Sequence, residues 1–256
     1  VRCFGYGNKQ HQPLLPLEPQ PNSMAIGGII ERWERPTPCD SDGPTCALVH
    51  GYNPQGYVFT IAGSGEAGDT DGQAHEAAFD NPEDVTVVNG TQYLLVADTG
   101  NNKIRVIRNG TVFTLAGTGA AGHKDGDCSE ATFSNPTSVV HLLDQDGGGE
   151  VMTIFVADSA NHRIRRIVVR DNVSCEVSCF AGLCGDGTFS EGGTQSAATP
   201  QAGYADGDGT VARFWYPRGL AFLNNEHLVV ADTNNHLIRI VFPNTTVVTL
   251  AGHLVP

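Results

Sequence analysis

The stretch LLVADTGNNKIRVI, which begins at Leu94, recurs in the chain in two closely related forms. These are IFVADSANHRIRRI, beginning at Ile154, and LVVADTNNHLIRIV, beginning at Leu228. Each form has an apolar run ending in Val-Ala-Asp, then Ser or Thr, an Asn and an Ile-Arg pair. This recurrence at long, similar intervals predicts a fold built from repeated units.

A second motif, Thr-φ-Ala-Gly (φ, apolar), alternates with the first. It occurs as Phe59-Thr-Ile-Ala-Gly, Phe113-Thr-Leu-Ala-Gly, Val248-Thr-Leu-Ala-Gly and the variant Cys179-Phe-Ala-Gly. An acidic, Gly-rich loop follows the first three copies along the chain and leads to an aromatic residue and a proline, such as Phe79 and Pro82. Short β-rich runs divided by Gly, Asn and Asp are typical of consecutive antiparallel strands.

Each repeat is therefore predicted to contain four strands, which we call a, b, c and d. Strand a follows the proline, b carries Val-Ala-Asp, c carries Ile-Arg, and d is the Thr-φ-Ala-Gly segment. Asn89-Gly90 and Asn109-Gly110 have the composition of two-residue hairpin turns. Because a single four-stranded sheet cannot bury both of its faces, the sheets are expected to stack side by side.

These motifs resemble the NHL repeat, and Asn-His-Leu itself stands at Asn235 to Leu237. The resemblance covers residues 58 to 252 and implies that each repeat is one four-stranded blade of a β-propeller. We therefore expect an all-β fold with blades over residues 58–256. Three blades and a partial one are expected, as part of a larger propeller, because only three complete motif pairs are present.

Residues 1–57 differ in composition, since they hold eight of the 14 prolines of the chain. We interpret them as a Pro-rich arm or linker, in which Cys39 and Cys46 flank a short polar loop and are expected to form a disulfide. A second group of cysteines lies close together: Cys175, Cys179 and Cys184. At least one local disulfide is expected in this group, and the total of seven cysteines leaves one over.

Four Asn-X-Ser/Thr sequons begin at Asn89, Asn109, Asn172 and Asn244. With the cysteines they favour a secreted glycoprotein with N-linked glycans, although Asn-Gly is also ordinary turn chemistry. All four fall in predicted a–b or c–d turns, which emerge at the same end of every blade. We therefore expect glycans at this end, and partners at the opposite end or on the blade edges.

Each repeat also places an Asp at the end of strand b and an Arg seven residues later in strand c. The pairs are Asp98 with Arg105, Asp158 with Arg165, and Asp232 with Arg239. Because they recur in every blade, we interpret them as architectural rather than catalytic. The loops between strands d and a carry carboxylates that suit either turn formation or a cation such as Ca²⁺. They are Asp69, Asp71, Asp125, Asp127, Asp206 and Asp208.

The formal net charge of −13 disfavours nucleic acid and anionic membrane surfaces as partners. No apolar run approaches the roughly 20 residues of a membrane helix, so membrane insertion by this segment is not expected. The sequence implies no cofactor and no catalytic group. It is best interpreted as an extracellular module for protein–protein interaction or structural assembly in an oligomer, matrix or fibre, with protein partners that include copies of itself.

Two alternatives remain open at this point. One is a fragment of a receptor or sensor ectodomain. The other is a metal-dependent lyase that resembles the peptide-amidating propeller enzymes. That resemblance implies that histidines on the inner strands would be needed to bind the metal. Only His141 falls on a predicted strand a, so we do not expect an enzyme.

Overall fold

The structure, a computed structural model, describes residues 58–88, 93–144, 151–170, 174–184 and 201–252. Within these residues three antiparallel β-sheets follow one another along the chain, which confirms the all-β fold. We call the sheets blades 1, 2 and 3. The predicted Pro-rich arm, residues 1–57, lies outside the described residues, together with the expected Cys39–Cys46 bridge.

Blade 1 shows the strand order of the meander. Its strands are β1 (Gly72–Gln73), β2 (Pro82–Val88), β3 (Tyr93–Asp98), β4 (Lys103–Arg108) and β5 (Thr111–Ala116). Strands β2 to β5 are the predicted strands a to d, and the spatial order is β1-β5-β4-β3-β2. The two-residue β1 comes from the preceding loop and pairs with the outer strand β5.

Blades 2 and 3 repeat this arrangement. Blade 2 consists of β6 (Gly126–Asp127), β7 (Pro136–Asp144), β8 (Val151–Asp158), β9 (Arg163–Arg170) and β10 (Ser174–Ala181). Blade 3 consists of β11 (Pro217–Leu223), β12 (His227–Asp232), β13 (Leu237–Val241) and β14 (Val247–Ala251). The first copy of Thr-φ-Ala-Gly, Thr60 to Gly63, forms no strand.

A short 3-10 turn joins strands b and c in every blade. The turns are Thr99–Asn101, Ser159–Asn161 and Thr233–Asn235. Each ends at a residue with left-handed backbone geometry: Asn102, His162 and His236, with φ of 53°, 56° and 58°. Asn and His are enriched among the residues that adopt this conformation, which explains why the motif places them there.

The hydrophobic core lies between blades rather than within one blade. Strands a of successive blades, β2, β7 and β11, contact one another and form the inner edge of the array. One apolar cluster joins blades 1 and 2, and includes Leu95, Ile104, Val139 and Ile154. A second joins blades 2 and 3, and includes Phe155, Ile164, Phe214 and Leu228. Stacking thus buries the two faces that a single sheet would leave in water.

The same hydrogen bonds recur at both junctions between blades. A hydroxyl in the b–c turn donates to the carbonyl of the proline that opens strand a of the next blade: Thr99 to Pro136 (2.7 Å) and Ser159 to Pro217 (2.5 Å). The residue that ends the turn accepts a backbone N–H from the next blade: Asn102 from Asn135 (2.9 Å) and His162 from Tyr216 (3.2 Å). The junction is therefore a repeated unit, like the blade itself.

Candidate functional site

The strand order gives the array two different ends. The b–c turns and d–a loops emerge at one end, which we call the turn face; it comprises residues 63–81, 99–102, 117–135, 159–162, 201–216 and 233–236. The a–b and c–d connections emerge at the other end, which we call the sequon face. Asn109 and Asn244 are exposed there, each in the connection between strands c and d. Asn89 and Asn172 lie outside the described residues.

A buried ion pair closes each b–c turn at the turn face. In blade 2, Asp158 and Arg165 are both fully buried, and Arg165 Nη1 donates to Asp158 Oδ2 over 2.9 Å. The carboxylate also accepts the backbone N–H of Ser134 (2.7 Å) and the side-chain amide of Asn161 (2.8 Å). Blades 1 and 3 repeat the pair, as Asp98 with Arg105 (2.6 Å) and Asp232 with Arg239 (2.8 Å).

Each of these arginines also binds a carboxylate in the d–a loop of its own blade. The pairs are Arg105 with Asp71 (2.6 Å), Arg165 with Asp125, and Arg239 with Asp206 (2.6 Å). The aromatic residue of each loop lies beside the guanidinium: Phe79, Phe133 and Phe214, each with its ring centre 5.2 Å from Cζ. One arginine thus ties strands b and c to the loop that covers them, which is the architectural role that the recurrence predicted.

These contacts account for the six aspartates that were considered for cation binding. In the three arginine-bound cases, Asp71, Asp125 and Asp206, a guanidinium supplies the positive charge. Asp69 binds Lys103 Nζ at 2.7 Å. Asp127 and Asp208 accept hydrogen bonds from the Ser or Thr two residues further on. Within the described ranges, no three His, Cys, Asp or Glu side chains form a group that could hold a metal ion.

The carboxyls of one blade differ in their pKa. Burial raises the pKa of Asp158 and of Asp232, because desolvation of the carboxylate outweighs the hydrogen bonds and the charge of the arginine. Partial burial acts in the same direction on Asp206, but hydrogen bonds from Thr249 and Arg239 lower the pKa of this carboxyl overall. Arg239 therefore has two different partners: the readily ionised Asp206 in the loop and the buried Asp232.

Two disulfides lie in and around blade 2. Cys179 pairs with Cys184, five residues away, which is a local bridge of the kind that the spacing predicted. Cys175 pairs with Cys128, 47 residues earlier, a partner that the sequence did not reveal. Cys128 directly follows β6, and β6 lies against β10, so the strand register brings the two cysteines together. Disulfides are compatible with an oxidising, extracellular compartment.

Exposed aromatic residues at blade 3 form a feature that the sequence analysis missed. They are Tyr204, Trp215 and Tyr216, and all three lie on the turn face. Tyr216 has φ of 52°, at a position where blades 1 and 2 have Asn81 and Asn135. A bulky residue is rare in this left-handed region, and exposed Trp and Tyr are frequent at protein interfaces. The departure from the repeat pattern was the signal that could have identified this patch.

The three blades can now be compared with known families. Residues 214–241 match the NHL repeat, and this segment contains β12, the third b–c turn and β13. This segment of the chain is an NHL repeat. Its array of antiparallel four-stranded blades is the β-propeller architecture, which is consistent with a protein–protein interaction module.

Two curated relatives are similar to this chain in sequence over part of their length. Human NHL repeat-containing protein 2 is 38% identical over 120 residues, which is 46% of this chain and 15% of the human protein. Protein SUPPRESSOR OF QUENCHING 1, chloroplastic, from Arabidopsis thaliana is 28% identical over 197 residues, which is 73% of this chain and 16% of the plant protein. The NHL-repeat chain therefore spans about one sixth of these relatives.

Among solved structures, the NHL-repeat chain is similar to an auxiliary nutrient binding protein from Bacteroides ovatus. The TM-score is 0.52 at 16% identity, over 70% of this chain and 39% of the other. At this identity the likeness concerns the fold alone. Over the described ranges, none of the helices has the length and apolar character needed to span a bilayer.

Proposed function

We propose that this NHL-repeat chain is an extracellular glycoprotein module that serves protein–protein interaction and structural assembly. The observation that supports this proposal most directly is that the outer faces of blades 1 and 3 leave exposed the apolar positions that blade stacking otherwise buries. The buried Asp–Arg pairs and the disulfides add a rigid scaffold on which such faces are presented.

Blade 3 exposes apolar residues on the face that points away from blade 2. Ile104 and Ile164 are fully buried by the blade that follows each of them, whereas Ile238, at the same position in blade 3, is 39% exposed. Leu115 packs into the core between blades 1 and 2, whereas the equivalent Leu250 is 54% exposed.

Blade 1 has the complementary exposed face. Val85 in β2 is 58% exposed, whereas Val139, at the same position in β7, is fully buried against blade 1. The hydrogen-bonding groups on the outer faces of blades 1 and 3 are complementary as well. In blade 3, Thr233 and His236 occupy the positions whose side chains bond to the next blade at the other junctions. In blade 1, Pro82 and Asn81 occupy the positions whose carbonyl and N–H bond to the preceding blade.

From this complementarity we infer that the occupant of both faces is a second copy of the chain. Blade 3 of one copy packs on blade 1 of the other, beside residues 59–62, which lie against Val85 and form no strand. Such a head-to-tail contact either closes a ring or continues as a fibre, depending on the rotation between copies. A ring formed by the three described blades of each copy is expected to close with two copies.

Charged substitutions on the two faces test this assembly. The wild-type chain is expected to have the mass of a dimer in light-scattering chromatography, and Val85→Glu or Leu250→Glu alone is expected to weaken both junctions, because each junction contains both faces. A mixture of the two variants is expected to recover a dimer, since one junction then contains two wild-type faces.

Val211→Glu is the matched control, because Val211 is equally exposed (54%) but lies on the turn face. The control is expected to leave the mass unchanged. A wild-type chain that is monomeric at every concentration, or variants that dimerise normally, would show that the second copy is not the occupant.

The glycoprotein part of the proposal predicts sugar on the exposed sequons. When the chain is secreted by a eukaryotic cell, Asn109→Gln and Asn244→Gln are each expected to remove the mass of one N-glycan, as seen by intact-mass spectrometry before and after glycosidase treatment. Asn225→Gln, in a turn without a sequon, is the control. An unmodified protein would contradict the glycoprotein proposal and leave the assembly test unaffected.

We further propose that the module acts without catalysis. The polar residues that recur in every blade are engaged in ion pairs and hydrogen bonds of the scaffold. His141, which the lyase alternative would use, lies half-buried in β7, and within the described residues it is not part of a group suited to a metal.

A further inference from the structure

A pocket opens between blades 2 and 3 on the sequon face because the two blades differ in length. Strands β8, β9 and β10 have eight residues each, whereas β12 has six and β13 and β14 have five each. Blade 3 turns early, because Leu223 already pairs with His227 and only three residues connect β11 to β12. Two of them, Asn224 and Asn225, have positive φ (55° and 56°), which permits a tight turn. Blade 2 therefore extends past blade 3 and leaves a cavity of about 420 Å³.

The floor of this pocket is apolar and aromatic. Phe155 lies at its centre, 4.8 Å from Phe180 and 5.7 Å from Phe222 between ring centres, in both cases edge to face. Leu228 and Val168 also line the pocket. Cavities of a few hundred Å³ with an apolar lining are the usual form of small-molecule sites.

Two arginines line the pocket. Arg166 and Arg170 lie on the face of β9 that points to blade 3, and both are exposed. In the part of the chain that the structure describes, neither forms an ion pair, and Arg166 lies 5.9 Å from the ring centre of Phe180. The carboxylate on the opposite wall, Glu226, lies 3.9 Å from the imidazole of its neighbour His227.

The repeat itself shows that Arg166 departs from the blade pattern. The same position in blade 1 is Val106, which is 5% exposed and belongs to the core between blades 1 and 2. In a chain with a net charge of −13, Arg166 thus replaces a buried apolar residue with a cation that forms no ion pair within the described ranges, and its recorded contact is with the ring of Phe180. Departures of this kind are characteristic of functional sites.

We propose that this pocket binds an amphipathic organic anion, whose apolar body lies on the phenylalanine floor and whose carboxylate or equivalent head group is held by Arg166 and Arg170. Guanidinium groups bind carboxylates through paired, charge-assisted hydrogen bonds, and the surrounding low-polarity wall strengthens them. This site is separate from the outer blade faces proposed for assembly. The binding of the anion is therefore expected whether or not the chain dimerises.

Decanoate and its neutral analogue 1-decanol are the probes. By titration calorimetry, decanoate is expected to bind saturably, and more tightly than decanol. The double variant Arg166→Gln/Arg170→Gln is expected to lose about tenfold or more in decanoate affinity, and little in decanol affinity. Val168→Trp, which fills the pocket, is expected to abolish the binding of both probes.

Arg108→Gln is the matched control, since Arg108 lies on the same blade face in blade 1 but against Tyr93, 4.4 Å from its ring centre. It is expected to bind decanoate like the wild type, and thermal melts verify that each variant is folded. Three outcomes would overturn the site: no saturable decanoate binding up to about 1 mM, equal affinity in the double arginine variant, or decanol binding as tightly as decanoate.

Discussion

Replacing Arg165 by leucine is expected to lower the free energy of unfolding by about 3–5 kcal/mol, because Asp158 then remains buried without its counter-ion. The guanidinium is fully buried, and besides Asp158 it binds Asp125 and the carbonyls of Thr132 (3.0 Å) and Lys124 (3.0 Å). The loss would be measured by chemical denaturation, followed by circular dichroism.

Two further variants distinguish the effect of the buried ion pair on the free energy of unfolding from the effect of an exposed ion pair. Arg218→Gln removes an exposed pair with Glu83 (2.8 Å) and is expected to cost less than about 1 kcal/mol. The double variant Asp158→Leu/Arg165→Leu removes both buried charges and is expected to be more stable than Arg165→Leu alone. If Arg165→Leu costs no more than Arg218→Gln, the pair does not hold blade 2 together.

Removal of the Cys128–Cys175 bridge is the second change with a large expected effect. The bridge joins residues 47 apart, and on the loop-entropy estimate its loss, as Cys128→Ala/Cys175→Ala, destabilises the chain by about 4 kcal/mol. The Cys179–Cys184 bridge joins residues only five apart, and the corresponding alanine pair is expected to cost about 2 kcal/mol.

Thermal melting of both alanine pairs under non-reducing conditions measures the difference, and mass spectrometry after alkylation verifies which bridge remains. The longer bridge is expected to give the larger decrease in melting temperature. The reverse order would mean that strain or residual structure, rather than closure of the longer loop, determines the stabilisation.

The sequence predicted the parts of the fold that depend on local pattern. Strands b, c and d of each blade follow from the two alternating motifs, since short apolar runs and turn residues decide them locally. The architectural role of Asp158 and Arg165 also followed from their recurrence. The loop partner of Arg165 did not follow, because Asp125 is 40 residues away in the sequence and reaches the arginine only when the d–a loop folds back over the blade.

The features that the sequence did not predict depend on registers between distant segments. Cys128 meets Cys175 because β6 adds to the outer edge of β10. The pocket around Phe155 exists because blade 2 is longer than blade 3, and the relative lengths of two stacked sheets are not encoded in either motif. The unpaired Arg166, at the position of Val106, was the one local sign of it.

The Asp–Arg contacts also define where one evolutionary unit begins and ends. Within the described residues, the side chains of Arg105 and Asp98 form hydrogen bonds only with each other and with residues between Thr70 and Asn101. Asp71 also accepts the backbone N–H of Thr114 in the same blade (2.9 Å). A gene segment that runs from one d–a loop to the following strand d can thus be duplicated or deleted without leaving a buried charge unmatched. Recombination immediately before strand a would separate each arginine from its loop carboxylate. Viable changes in blade number are therefore expected to have their breakpoints at the end of strand d, just before the d–a loop.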